Sequence, residues 1–300
     1  MSDINVCLAC DDNYAKYAGV VIASALDNAK PDENLRFYIL DGGITDEKKS
    51  EILSLKSIKD CKIEFVPIDE AMFEDYKKVA THKYISIATY YRLRLATLLP
   101  EVERIIYFDC DMVVNSSLKE LFETELGENV IAGVRDINKR RVRENPSYIN
   151  AGMVLFDLKK IREQGIEQKF YDYTNENFER ITVGDQQIIN EVLEGRIKIV
   201  DDEWNVQSSN FTNRSSYTKN PKVVHYVARK KPWHFGSFSF HRGLYFKYLQ
   251  LTPWKLNTAK EKFYWYQLNQ LKSLVGYVLY RPLFLFRPRF YEALFKTYFS

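Results

Sequence analysis

The chain has 300 residues, 46% of them hydrophobic and 28% charged, an ordinary globular composition with enough length for a substantial core, which excludes a disordered or fibrous protein. No stretch supplies the roughly 18 to 20 uncharged apolar residues of a spanning helix, and MSDINVCLACDD lacks the basic-then-apolar order of a signal peptide, so the expected place is cytoplasmic. The formal charge of +3 hides an asymmetry: from Arg229 onward thirteen Lys and Arg face only Glu261 and Glu292, leaving the earlier part of the chain acidic.

The apolar run INVCLAC (4–10) reads as a buried strand. It breaks into Asp11-Asp12-Asn13 before a helix over 14–29, the way an α/β fold builds a ligand-binding lip. A second strand (35–40) leads through Asp41-Gly42-Gly43 into a helix with Thr45 as N-cap. A third strand covers 62–67, and the alternation predicts a parallel sheet with helices on its faces. Residues 72–84 read as irregular. Residues 86–99 read as a helix stopped by Pro100, and the arginines within it, Arg92 and Arg94, are either snorkelling or buried against an anion. Cys7 and Cys10 form a C-x-x-C with no second ligand pair. All four cysteines read as small core residues.

The run Ile105-Ile106-Tyr107-Phe108 predicts a buried strand that ends in Asp109-Cys110-Asp111. On strand alternation the two carboxylates share a face. Like charges held that close call for a cation between them, although a lone D-x-D is also found as two solvated aspartates. Further strands are expected at 130–134 and 148–156, with a basic loop at 139–143 between them. The small residues after Asn150 would admit a close neighbour. One amphipathic helix is read over 158–178 and another from Asp185 to near Gly195, where Asp185 has the bland reading of a helix cap. Short strands follow at 196–200 and 221–226. His225 ends the last of them beside basic residues suited to phosphate. Two Asp and one His are mixed oxygen and nitrogen donors, which suit Mn²⁺ or Mg²⁺. Beyond 243 aromatic and aliphatic residues alternate with Arg281, Arg287, Arg289 and Lys296, the composition of a segment lying on an anionic membrane surface. A nucleic-acid partner is not read, because no recognisable module surrounds these residues.

In this order the pieces resemble a family 8 glycosyltransferase of the GT-A fold, most closely the bacterial lipopolysaccharide α-galactosyl- and α-glucosyltransferases. ACDDNY resembles the first nucleotide-binding loop, SIATYYRLRLATLLP the arginine helix and YFDCDMVV the D-x-D strand. YINAGMVLFDL, VGDQQIIN and HYVARKKPWH resemble three further motifs. The resemblance implies an α/β, Rossmann-like, mostly parallel mixed sheet flanked by helices. It implies a catalytic domain over 1–245 and leaves 246–300 as a helical basic-aromatic, membrane-associating appendage on the cytoplasmic face of the inner membrane. It further implies retaining transfer of galactose or glucose from a UDP-sugar to a surface glycan, forming an α-linkage.

The resemblance assigns Mn²⁺, or Mg²⁺ in its place, to Asp109, Asp111 and His225. Uridine and ribose go to Asp11, Asn13 and Tyr14, and the diphosphate to Lys231. The donor sugar goes to Arg92, Asn150, Asp185 and Gln186, the last two and Arg92 being the catalytic candidates. Asp136 falls near the sugar or the acceptor. Ala9, Cys110, Ala151 and Ala228 complete the donor-binding set. Ala228 stands where the family has glycine, which would cost something if that position needs positive φ. A nucleotide-sugar binding protein without catalysis is the second reading, separated from the first by UDP release. A nucleotidyltransferase comes last, because the turn after the first strand lacks a glycine-rich phosphate loop.

Overall fold

The computed structural model describes residues 3–79, 87–208, 218–227, 231–234, 237, 239–264, 275 and 291. In chain order the first units are β1 (Ile4–Cys10), α1 (Ala15–Asn28), β2 (Leu35–Asp41), α2 (Asp46–Leu53) and β3 (Lys62–Pro67). α3 (Glu74–Val79), a 3-10 segment at Ile87–Arg94 and α4 (Leu95–Leu98) lead into β4 (Arg104–Phe108) and β5 (Met112–Val114). α5 (Lys119–Phe122), β6 (Ile131–Arg135), α6 (Lys139–Glu144) and β7 (Ile149–Asp157) follow. The rest is α7 (Leu158–Glu163), α8 (Ile166–Asn177), α9 (Asp185–Val192), β8 (Ile197–Ile199), β9 (Val206–Ser208), β10 (Val223–Tyr226), α10 (Arg242–Leu249) and α11 (Ala259–Phe263).

Seven strands form one sheet in the order β3-β2-β1-β4-β7-β6-β8. β1 to β4 run parallel, and β7 is antiparallel to both of its neighbours. The expected α/β mixed sheet is therefore the one formed. Eight of the nine β7 residues are buried, because helices cover both faces and a strand covered twice reads as one apolar run. One core lies between the sheet and α1, around Val6, Leu8, Phe108 and Leu155; the other, around Tyr107, Val154 and Phe170, lies beneath the 3-10 segment, α8 and α9. Each of these buried side chains contributes about 1.5–3 kcal/mol. Strand order reverses between β1 and β4, which opens a crevice at their carboxyl ends, the place where open α/β sheets take ligands.

A second sheet, β5-β10-β9, stands above this crevice. Its three-residue strands β5 and β9 are too short to show a period in sequence and were not expected. α10 packs Tyr245, Phe246, Tyr248 and Leu249 on Val113 and Val224 of this sheet, so the boundary expected at 245 falls inside a docked helix.

Five local expectations are corrected. Residues 74–79 are helical, not irregular, and the basic loop at 139–143 is helix α6, its N-cap Asn138 accepting from Arg140 N at 3.2 Å. The helix expected over 158–178 is two, split at Gly165 with φ +59°, a left-handed turn that glycine adopts without strain. The arginine segment is mostly 3-10 rather than α: the tighter winding sets Arg92 beneath Thr89, to whose carbonyl Arg92 Nε donates at 2.9 Å. Thr45 stands at the N-cap but does not cap; its hydroxyl donates to Asp12 Oδ1 at 2.8 Å.

Candidate active site

β4 ends at Phe108, so Asp109 and Asp111 belong to the turn between β4 and β5 and not to the strand itself. Backbone tethers to two other strands hold them: Asp109 N donates to Gly152 O at 2.8 Å, and Tyr226 N donates to Asp111 O at 2.9 Å. The antiparallel register of β5 and β10 sets His225 opposite Met112, which delivers the imidazole to the acids across more than a hundred residues of sequence. Among the described residues one ligand atom from each of Asp109, Asp111 and His225 lies within 4.8 Å of the others. His225 Nε2 is 3.1 Å from Asp111 Oδ1 and 3.8 Å from Asp109 Oδ2.

The chemistry of this set follows from how its second layer is bonded. Asn150 Oδ1 accepts from Gly152 N at 3.1 Å and from Asn205 Nδ2 at 3.0 Å, and it faces His225 Nδ1 at 3.0 Å. Because that oxygen can only accept, Nδ1 carries the hydrogen and Nε2 presents its lone pair to the carboxylates. Asp111 Oδ1 is correspondingly buried without a hydrogen-bond donor. Oxygen and nitrogen lone pairs aimed at one point, with the imidazole tautomer fixed from behind, are the donor set of a divalent cation. The glycine that follows Asn150 and Ala151 has a steric reason: a Cβ on Gly152 would stand 2.3 Å from His225 Cε1. The close neighbour expected there is this ring.

Arg92 is 3% exposed and fully committed. It donates to Ala151 O and, at 2.6 Å, to Asp109 Oδ1, and its guanidinium lies 4.1 Å from the centre of the Tyr107 ring. Asp185 Oδ2 is 3.1 Å from Arg92 Nε, but that hydrogen goes to Thr89, so this oxygen is charge-paired to Arg92 without a hydrogen bond. Burial lifts the Asp185 carboxyl to about 6, against the pull of Arg92 and with the Asp109 charge adding to the lift. Burial also raises Asp111, yet the Lys231 ammonium, at 2.5 Å, outweighs it and holds that carboxyl below the ordinary range.

In front of the cluster lies a cavity of about 670 Å³, lined by Ala9, Asp11, Tyr14, Arg92, Asp109, Cys110, Asp111 and Lys231 among others. Eight of the sequence candidates thus meet in one space. Behind them His225 completes the donor set of the two acids, and Asn150, Ala151, Asp185 and Gln186 form a second layer. There Gln186 Oε1 accepts from Asn150 Nδ2 and Ala151 N, at 3.3 and 3.2 Å, while its amide donates to Asp136 Oδ2 at 2.7 Å. Asn13 is exposed in the turn beyond the cavity lining, Asp136 lines a neighbouring cavity, and Ala228 lies outside the described residues. Sequence reading missed Thr89, Tyr107 and His234 in the lining and Asn205 in the second layer. Only their positions in space mark them. The four cysteines are free and buried, as expected, and Cys110 Sγ donates back to Ala9 O at 3.3 Å.

Comparison with known proteins finds chains similar in sequence and fold. A putative glycosyltransferase of Haemophilus influenzae is 34% identical over 248 residues, 77% of this chain and 73% of that protein. The lipopolysaccharide 1,2-glucosyltransferase of Escherichia coli is 26% identical over 94% of this chain and 87% of its own length. The crystal structure of the galactosyltransferase LgtC in complex with donor and acceptor sugar analogs superposes with a TM-score of 0.72 at 23% identity, covering 87% of this chain and all of that one. The profile of glycosyl transferase family 8 matches residues 5–236, and the chain belongs to that family.

Proposed function

We propose that the chain is a retaining, divalent-metal-dependent hexosyltransferase that moves galactose or glucose from a UDP-sugar to a lipopolysaccharide, lipooligosaccharide or other surface glycan, forming an α-linkage. The observation that carries this reading is the inward-facing donor set of Asp109, Asp111 and His225 at the mouth of a nucleotide-sized cavity. Mn²⁺, or Mg²⁺ in its place, held by these three residues would neutralise charge on the departing diphosphate. Uridine and ribose belong at Asp11, Asn13 and Tyr14. Lys231 lies on the cavity wall, where it stabilises negative charge as it develops. In the reaction the bond from C1 to the phosphate oxygen breaks and its electron pair leaves with UDP. The acceptor oxygen bonds to C1 and releases its proton to the phosphate oxygen. Asp185 lies beside the sugar, where its carboxylate favours the cation-like C1, and Arg92 holds Asp185 and Asp109 in place. Gln186 Oε1 already accepts two hydrogen bonds, which supports attack from the leaving-group face over attack by Gln186, with retention as the outcome.

The catalytic unit comprises residues 1–245 with the rest of α10, and the basic-aromatic region to residue 300 associates with the cytoplasmic face of the inner membrane. Among the described residues no helix is long and apolar enough to cross a membrane. Removal of the residues after about 270 is expected to abolish sedimentation with anionic vesicles at low salt; a truncated chain that still sediments overturns this assignment. For the activity, purified protein is incubated with Mn²⁺ and a panel of UDP-sugars, and UDP release is scored. Release from UDP-glucose or UDP-galactose that chelation stops is expected. No release from any donor overturns the reading.

A further inference from the structure

The turn that carries Asp136 opens on its other side into a second cavity, of about 530 Å³, which shares no lining residue with the first. Its walls combine the apolar side chains of Val134, Ile137 and Val142 with three cations, Arg135, Lys139 and Arg143. Helix α6, KRRVRE, explains why these charges stand apart from their neighbours. Arg140 is paired with Glu144 at 2.9 Å, and Arg141 lies 3.6 Å from Asp136, whose Oδ1 accepts from Asn138 N at 2.5 Å. Lys139 and Arg143 have no acidic partner among the described residues, and Arg135 gives its Nε hydrogen to Pro146 O at 2.9 Å. The acids on the lining are Asp202 and the already compensated Asp136. Like charges gathered on one concave, partly apolar wall repel one another and focus a positive field into the cavity, and an anionic ligand relieves that cost.

The cavity is also connected to the reacting centre. Asp136 accepts from Gln186 Nε2 at 2.7 Å, and Asn205, on the cavity lining, donates to the Asn150 oxygen that orients His225. We infer that this cavity is an acceptor subsite for an anionic sugar, one that carries a phosphate monoester. Val134, Ile137 and Val142 take the ring, and Lys139 and Arg143, with Arg135, take the phosphate. The inference rests on the glycosyltransferase reading and narrows its acceptor to glycans phosphorylated near the accepting residue.

The test is calorimetric titration of the full chain, preloaded with UDP and Mn²⁺, with a hexose 6-phosphate, the unphosphorylated hexose and inorganic phosphate. The same titrations are made on Lys139→Ala/Arg143→Ala. The hexose phosphate is expected to bind at least tenfold more tightly than either of the other two, and the double variant is expected to lose that preference while binding UDP as the parent does. Equal binding of hexose and hexose phosphate, or an unchanged preference in the variant, overturns the subsite. Inorganic phosphate binding as tightly as the hexose phosphate makes this a free-anion site and overturns it too. Failure of the UDP preloading itself counts against the proposed activity, which separates the two outcomes.

Discussion

Two Asp–Lys pairs stand on the rim of the same sheet. Asp12 meets Lys48 at 2.7 Å on the exposed lip between β1 and α2, and Asp111 meets Lys231 at 2.5 Å in the crevice. Both carboxyls titrate below their ordinary value: Asp12, at about 2, through hydrogen bonds from Lys48 and Thr45, and Asp111 through Lys231 against the cost of burial. The difference lies in what remains to be satisfied. Asp12 takes the Thr45 amide and hydroxyl as well as the lysine, and water can reach it. Asp111 keeps a buried oxygen that faces a nitrogen lone pair. A satisfied pair in water fastens two loops and is worth little. A buried pair left incomplete is expensive and is completed by what binds there.

The largest test of that contrast removes the incomplete pair. Asp111→Ala, and equally Asp109→Ala, is expected to lower UDP release by about 10²–10³-fold, with circular dichroism checking that the fold persists. Retained activity in either variant would place the cation elsewhere. A smaller effect comes from disturbing the layer behind. Gly152→Ala drives a Cβ into the His225 ring and should weaken Mn²⁺ binding about 10–100-fold, read by metal titration; unchanged affinity would remove His225 from the ligand set.

A third carboxylate extends the comparison to one whose value is raised. Because Asp185 is lifted to about 6 by burial, the folded chain holds a proton that the unfolded chain releases near pH 4. This group's stabilising contribution is therefore complete below about pH 4 and is lost as pH rises through 6. In urea unfolding at pH 4, 5 and 6.5, Asp185→Asn should flatten that slope by about 1–3 kcal/mol. A slope identical to the parent's would mean that the carboxyl is not raised. The smallest effect belongs to the lip. Asp12→Asn should leave turnover unchanged and lower the urea midpoint at pH 7 only slightly, because the pair is exposed and screened. The depressed value of Asp12 makes its contribution present above pH 4 and lost toward pH 2, so parent and variant should converge only in acid. A clear loss of turnover in Asp12→Asn would make Asp12 itself part of the site.

The parallel half of the sheet was legible because buried strands read as apolar runs, and INVCLAC, LRFYIL and RIIYF each end in the polar residues that become the crevice. Asp109, Asp111, Lys231 and the lip were legible as residue types that suit phosphate and metal. Residues 158–178 were misread because the periodicity continues on both sides of Gly165, and only the sign of its φ breaks the helix. α6 was misread because its run of charges carries no apolar period, so Asn138 capping and local turns decide it.

By itself the sequence determined which strands are buried and which donors end them, since burial and ligand chemistry are properties of residue types at short spacing. Only the tertiary structure decided that His225 faces Asp111, that Asn150 and Gly152 fix its ring, and that Lys139 and Arg143 share a cavity with Asp136. Those decisions rest on pairings between segments far apart in the chain, such as β5 with β10, whose three and four residues are too few to announce themselves before they meet.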